Sequence, residues 1–259
     1  MDENERFAAE RRDAVAGYGQ DEAFRTLSRN WLRESMARRY VYNFDWLGRP
    51  IIQYPQDMAA VQELIWSVRP DVIVETGIAH GGSLVLSASI LALLDYADAV
   101  AEGRTLDPAR PQRRVIGIDI DIRKHNRQAI VAHPMASRIT MIEGSSIDPR
   151  TIDAVHAEVG QGRKVLVFLD SMHTHDHVLA ELDAYAPLVG IGSYCVVFDT
   201  FVENMPKSFF ADRPWDVGNN PMTAVQSWLP SHPEFEIDRT WDNKLMVSVA
   251  PEGFLRRVS

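Results

Sequence analysis

Four carboxylates share one local setting: Glu75, Asp119, Asp170 and Asp199 each close a short, mostly apolar run, at Val72–Val74, Val115–Ile118, Lys164–Leu169 and Tyr194–Phe198. Continuous apolar runs of this length read as strands buried on both faces of a largely parallel sheet. The carboxyl ends of such strands face one crevice. Carboxylates gathered there can do two kinds of chemistry. Two that lie side by side repel, and a divalent cation between them resolves the repulsion. Asp170 and Asp199 are the pair placed for that. A carboxylate ahead of a glycine-rich turn repels a pyrophosphate and suits a ligand carrying an ammonium or sulfonium. Glu75 occupies that position, followed by Gly77, Gly81 and Gly82.

The stretch Asp71–Ser83 therefore organises the chain. Strand, acid, glycine-rich turn and helix build a nucleotide pocket at the end of a first strand. The helix that follows, read over Ser83–Leu94, offers free N–H groups at its start. The spacing is G-x-x-x-G-G, whereas a dinucleotide fold requires G-x-G-x-x-G, which disfavours an NAD enzyme. Asp119, after the second strand, can accept both ribose hydroxyls of an adenosine; Asp121 is the lesser candidate. Ile139–Ile142 is a third strand, and the Glu143-Gly144-Ser145-Ser146 turn after it offers hydroxyls and N–H groups to an adenine edge. A plain β-turn is the competing reading of that segment, as a helix N-cap is for Asp199.

Other elements must carry these residues. Residues 1 to about 40 read as helices, with Phe24, Leu27, Trp31, Leu32 and Met36 near helical spacing and a solvated arginine face. An aromatic, turn-rich connector spans Tyr40–Tyr54. A helix over Asp57–Val68 stops before Pro70, and residues 101–112 read as a loop. A helix over Val178–Leu188 follows the fourth strand. Residues 201–221 form a long aromatic loop, of the length that is usually functional. Within it Asn219 and Asn220 either bind a hydroxyl-rich acceptor or shape the turn before Pro221. A helix over Thr223–Leu229 comes next. Phe235–Asp238 and Leu245–Val249 read as a closing antiparallel pair joined at Asp242 and Asn243.

The balance of 27 basic against 36 acidic residues, net −9, disfavours nucleic-acid and anionic-membrane partners. The single Cys195 rules out an internal disulfide and fits a cytoplasmic setting. The charged start MDENERFAAERRD shows no signal peptide, and no apolar run is read as long enough for a membrane span. The length suits a terminal helical extension over 1–55 and one domain over 56–259.

Glu75–Gly81, as E-x-G-x-x-x-G, resembles motif I of the S-adenosylmethionine (SAM)-dependent methyltransferases. The segments ETGIAHGGS, VIGIDID, EGSS, VLVFLDSMHTHDH, GSYCVVFDT and GFLRRV, spread over about residues 46–258, resemble the cephalosporin hydroxylase family. That family holds antibiotic-tailoring and sugar O-methyltransferases and is related to the catechol-type enzymes. The resemblance implies a class I methyltransferase fold: a Rossmann-like α/β sheet of about seven strands, mostly parallel with an antiparallel terminal strand, and helices on both faces. Glu75, Thr76, Gly77, His80, Gly81, Ser83 and Asp170 would hold the methionine end of SAM, Asp119 the ribose, and Ser145 and Ser146 the adenine. Mg²⁺ would sit on Asp170 and Asp199. The further ligand of the relatives falls here on Thr200, a weak neutral donor, or on Phe198, which cannot ligate; Glu203 or water would complete the shell. His173, three residues past Asp170, takes the offset of the general base. The connector and the 201–221 loop would close as a lid. The acceptor would be a hydroxylated sugar or antibiotic/polyketide natural product, and the enzyme a homo-oligomer. Two other readings stay open: a metal-dependent hydroxylase built on the His173–His177 cluster, and a non-catalytic SAM-binding module. The HTHDH run is one residue short of the H-x-H-x-D-H zinc pattern, and zinc would need further ligands.

Overall fold

A computed structural model describes residues 2–259. The chain runs through α1 (Glu3–Gln20), α2 (Glu22–Ala37), β1 (Phe44–Trp46), β2 (Arg49–Ile51), α3 (Pro55–Val68), β3 (Val72–Thr76), α4 (Gly82–Glu102), β4 (Arg114–Asp119), α5 (Lys124–Val131) and β5 (Ile139–Glu143). It continues through α6 (Pro149–Val159), β6 (Val165–Leu169), α7 (His175–Tyr185), β7 (Tyr194–Val197), α8 (Pro221–Trp228), β8 (Phe235–Ile237), α9 (Arg239–Leu245) and β9 (Phe254–Arg257). The main sheet has seven strands in the order β5-β4-β3-β6-β7-β9-β8. All neighbouring pairs up to β7 are parallel, and β9 runs antiparallel between β7 and β8. This is the expected mostly parallel sheet with one reversed strand near its edge.

Side-chain alternation along the strands splits the core into two layers. Ile73, Val115, Leu166 and Val196 face α3 and α4, where Leu64, Ile65, Leu91 and Leu94 meet them. Val74, Ile116, Val167 and Cys195 face the other way, onto Val155 of α6, Leu182 of α7 and Trp228 of α8. Helices therefore cover both faces, which is why the strand sequences are apolar throughout. The register sets the strand ends level: Thr76 pairs with Ile118 and Leu169, and Leu169 with Val197. The residues that follow these strands thus emerge along one edge.

Several boundaries differ from the sequence reading. The connector holds a two-stranded hairpin, Phe44 opposite Ile51, closed by Leu47 and Gly48 at positive φ, as a tight two-residue hairpin turn needs. Helix α4 continues past Leu94 to Glu102. By length and composition it is long and apolar enough to cross a membrane, which corrects the expectation that no apolar run is, but more than half of its most apolar stretch is buried in the protein's own interior. Helix α7 begins at His175, not Val178. Leu245–Val249 is not a strand. Ser248 Oγ and Val249 N instead donate to the buried carboxylate of Asp57, at 2.6 and 3.0 Å. The sheet partner of Phe235–Ile237 is Phe254–Arg257.

Candidate active site

The glycine-rich turn is built for close approach. A Cβ on Gly77 (φ +90°) would lie 2.0 Å from the Asp170 carbonyl oxygen, so only glycine lets the ends of β3 and β6 run side by side. On Gly82 it would lie 2.3 Å from Pro50 O, where the hairpin packs onto the start of α4. Asp119 shapes the same turn: its Oδ2 accepts from Ile78 N (2.9 Å) and Ala79 N (3.2 Å). That carboxylate, with Asn126 Nδ2 donating to Ala79 O at 2.9 Å, holds Ala79 at φ +46°. Left-handed non-glycine backbone of this kind persists only where surroundings over-determine it. Asp121 is exposed and reaches Asp119 only through its N–H.

The remaining residues expected at the methionine end divide. Ser83, His80 and Gly77 line a cleft of about 280 Å³. Thr76 is fully buried, with its carbonyl and Oγ1 both accepting from Asp170 N, so it fixes Asp170 rather than facing the cleft. Glu75 lies one layer deeper. Its side chain borders a separate 20 Å³ cavity with Gln53, Ser83 and Ser87. Burial pushes its carboxyl up to about 7, against the opposing effect of Ser83 and Ser87. Ser145 and Ser146 stand beyond the cleft, on the turn after β5, which Gly144 N ties to Asp119 O at 2.9 Å.

At the cleft floor, Asp170, His173 and Asp199 bring a ligand atom each to within 4.8 Å of one another. His173 Nε2 lies 3.0 Å from Asp199 Oδ2, and its ring stands edge-on to Trp215 with centroids 4.7 Å apart. Gln53 Nε2 donates to Asp170 Oδ2 at 3.2 Å. Asp199 sits at φ +56°, a second strained residue at the site. Burial, and then the charge of Asp199, hold the Asp170 carboxyl well above the usual carboxylate range. Burial also raises Asp199, which His173 opposes. Two carboxylates that disfavour ionising together, with a third donor beside them, form a set that fits a divalent cation.

Thr200 does not join that set. It is fully buried and its hydroxyl donates to Pro251 O at 2.6 Å, away from the cluster. Phe198 packs edge-on to Phe168 in the core. Glu203 accepts from Gly218 N and Asn220 Nδ2 and so braces the loop instead of completing a shell. The three histidines diverge: His175 Nδ1 meets Thr223 Oγ1 at 2.9 Å, and His177 Nε2 meets Ser146 Oγ at 3.0 Å. Among the described residues, Asp170–His173–Asp199 is the group close enough to hold a metal, which leaves the His173–His177 hydroxylase reading without a centre. Asn220 N-caps α8, and Asn219 is bonded to His175 N and Pro214 O, so both serve the loop's own shape. Gln53 was not singled out from the sequence; a lone amide in an apolar connector is its only signal.

Residues 38–258 match the family model described as Rhamnosyl O-methyltransferase/CmcI. The chain belongs to this family. It is an SAM-dependent O-methyltransferase. A rhamnosyl O-methyltransferase of Mycobacterium tuberculosis is 27% identical over 206 residues, covering 78% of this chain and 73% of its own. One from Mycobacterium leprae is 24% identical over 241 residues, covering 87% and 90%. Among solved structures, CmcI with SAH shares the fold at TM-score 0.53 and 21% identity, covering 83% of each chain. CmcI with Mg and SAM does so at TM-score 0.52 and 20% identity, covering 84% and 78%.

Proposed function

We propose that this enzyme methylates a hydroxyl of a sugar or of a sugar-bearing or polyketide natural product, with Mg²⁺ held by Asp170 and Asp199. The observation that carries this reading is the convergence of Asp170, His173 and Asp199 within 4.8 Å at the cleft floor. Hard carboxylate oxygens suit Mg²⁺, which keeps several waters and needs few protein ligands. Bound SAM supplies an electrophilic sulfonium methyl, and a bound divalent cation supplies Lewis acidity that eases loss of a hydroxyl proton.

The chain's own part is positioning and proton removal. With Nε2–H donated to Asp199, the neutral imidazole of His173 keeps its basic lone pair at Nδ1, ready to take the acceptor's proton. Trp215 and Asp199 fix the ring plane between them. Gly77, His80, Gly81 and Ser83 receive the methionine end of SAM, and Glu75 supports them from below. Asp119 receives the ribose and the Ser145–Ser146 turn the adenine. Tyr42 of the connector and Phe210 and Trp215 of the 201–221 segment form the outer walls of the cleft. Flat aromatic walls suit the apolar face of a sugar ring, and closure of these segments excludes water. The relatives' names point to a rhamnosyl acceptor for those proteins; a related deoxysugar is the first acceptor to try here. The buried Cys195 fits a reducing cytoplasm. Exposed Phe24, Leu27 and Trp31 on α2 mark where a second copy would sit in a homo-oligomer.

Calorimetric titration with SAM, paired with a methyl-transfer assay on rhamnosylated acceptors with and without a chelator, tests this reading. Binding of SAM with transfer abolished by the chelator and restored by Mg²⁺ is expected. Full transfer in the chelator would remove the metal from the account, and absence of SAM binding would remove the rest.

A further inference from the structure

Helix α7 carries a polar stripe one turn apart on the side it buries: His177, Glu181 and Tyr185. Glu181 and Tyr185 are fully buried. The stripe grips Ser146 at two points. His177 Nε2 lies 3.0 Å from Ser146 Oγ, and Tyr185 OH donates to Ser146 O at 2.6 Å. The same imidazole nitrogen lies 3.2 Å from Ser171 Oγ, and Ser171 in turn donates to Glu181 Oε1 at 2.6 Å. One helix face therefore ties the turn after β5 to the turn after β6. Packing alone does not call for this. Val178 and Leu182 of the same helix already fill the apolar layer, and polar groups buried beside them are costly unless their bonds are kept.

We propose that His177 is a positioning residue for the adenosine half of the cofactor. It holds the Ser145–Ser146 turn at a fixed distance from the turn that bears Asp170, and Tyr185 holds the same turn through its carbonyl. This rests on the reading above that the Ser145–Ser146 turn receives the adenine. His177 lies outside the Asp170–His173–Asp199 cluster. Its loss therefore weakens nucleoside binding and leaves the methyl-transfer step alone.

The test titrates SAH and free adenosine into wild type, His177→Leu, His177→Gln and Tyr185→Phe, with steady-state kinetics alongside. His177→Leu is expected to weaken SAH and adenosine together by about tenfold, the worth of one well-placed hydrogen bond to a charged or buried partner. The SAM KM rises to match and kcat stays within about twofold. The Gln side chain places an amide nitrogen near the position of Nε2, so His177→Gln recovers most of the affinity; a role in packing alone gives no such recovery. Tyr185→Phe is expected to weaken adenosine less, again at constant kcat, and carries the test if His177→Leu does not fold. Wild-type adenosine affinity in the folded variants, or a loss confined to kcat, overturns the proposal. Ser145→Phe separates the two layers of the account. If it still binds adenosine, the adenine reading fails; if it abolishes adenosine binding while His177→Leu does not weaken it, only the positioning role fails.

Discussion

Replacing Asp170 by Asn is expected to stabilise the metal-free protein while abolishing its activity. Two unit charges 4.8 Å apart, the outer limit of the Asp170–Asp199 ligand-atom spacing, repel by about 3.5 kcal/mol at an effective dielectric of about 20. Wild type relieves part of this by retaining a proton, since Asp170 is held well above the usual carboxylate range by burial and by Asp199. Removing the charge therefore returns about 1–2 kcal/mol, or a rise in Tm of about 2–6 °C for a chain of this size. The sign with pH follows from the raised value. The Asp170 contribution to stability is full below the unfolded value of 3.8 and is lost as pH climbs through the higher folded value. Wild type in chelator should gain stability on acidification across that window, and Asp170→Asn should gain less. Added Mg²⁺ reverses the order: at about 100-fold above its Kd it stabilises wild type by about 2.7 kcal/mol and the variant hardly at all. Thermal melts in EDTA and in Mg²⁺, at two pH values, read all of this. A variant less stable than wild type in EDTA, with Mg²⁺ raising both melts equally, would mean that Asp170 and Asp199 neither repel nor share a cation.

Three further outcomes follow. His173→Ala should lower kcat by about 10²–10⁴-fold, with SAM affinity by calorimetry changed less than about twofold; a change in KM alone would deny it the role of base. Thr200→Val should leave the Mg²⁺ activation constant as in wild type and lose about 1 kcal/mol of stability, because the hydroxyl serves Pro251 O; a weakened Mg²⁺ response would restore it to the metal shell. Burial raises the Asp57 carboxyl from 3.8 to about 7, so its contribution to stability falls as pH rises through that interval, by on the order of 4 kcal/mol. Asp57→Asn should flatten stability between about pH 4 and pH 8 in denaturant titrations, and an unchanged slope would place the pH dependence elsewhere.

The strand ends were legible because each couples a buried apolar run to a single carboxylate. Glu75 and Asp119 do lie in β3 and β4, and Asp170 and Asp199 just past the ends of β6 and β7, on four adjacent strands of the sheet. What a strand end does not reveal is which way its side chain turns. Glu75 is the last but one residue of β3, so the pleat sends it beneath the cleft, while Asp119 is held by the turn it shapes. Thr200 follows Asp199 directly, but the left-handed backbone of Asp199 sends the two side chains apart. The closing strand is hidden in the sequence for a related reason. Leu245–Val249 alternates like a strand, yet Asp57, 191 residues earlier than Ser248, takes its polar groups. Phe254–Arg257 looks half polar because only Phe254 and Leu255 are buried, while Arg256 is exposed and Arg257 turns its guanidinium back to donate to Val189 O at 2.7 Å. Such long-range partners carry no local signal in the sequence.

A crystal structure grown with SAH and Mn²⁺, with the ion located by its anomalous signal, would show whether Asp170 and Asp199 hold a divalent cation beside the cofactor. One strong peak bounded by Asp170 and Asp199 is expected, with His173 facing the acceptor space and the adenosine of SAH lying from Asp119 toward Ser145. A peak at His175 or His177, or SAH bound away from the Gly77–Ser83 turn, would contradict it.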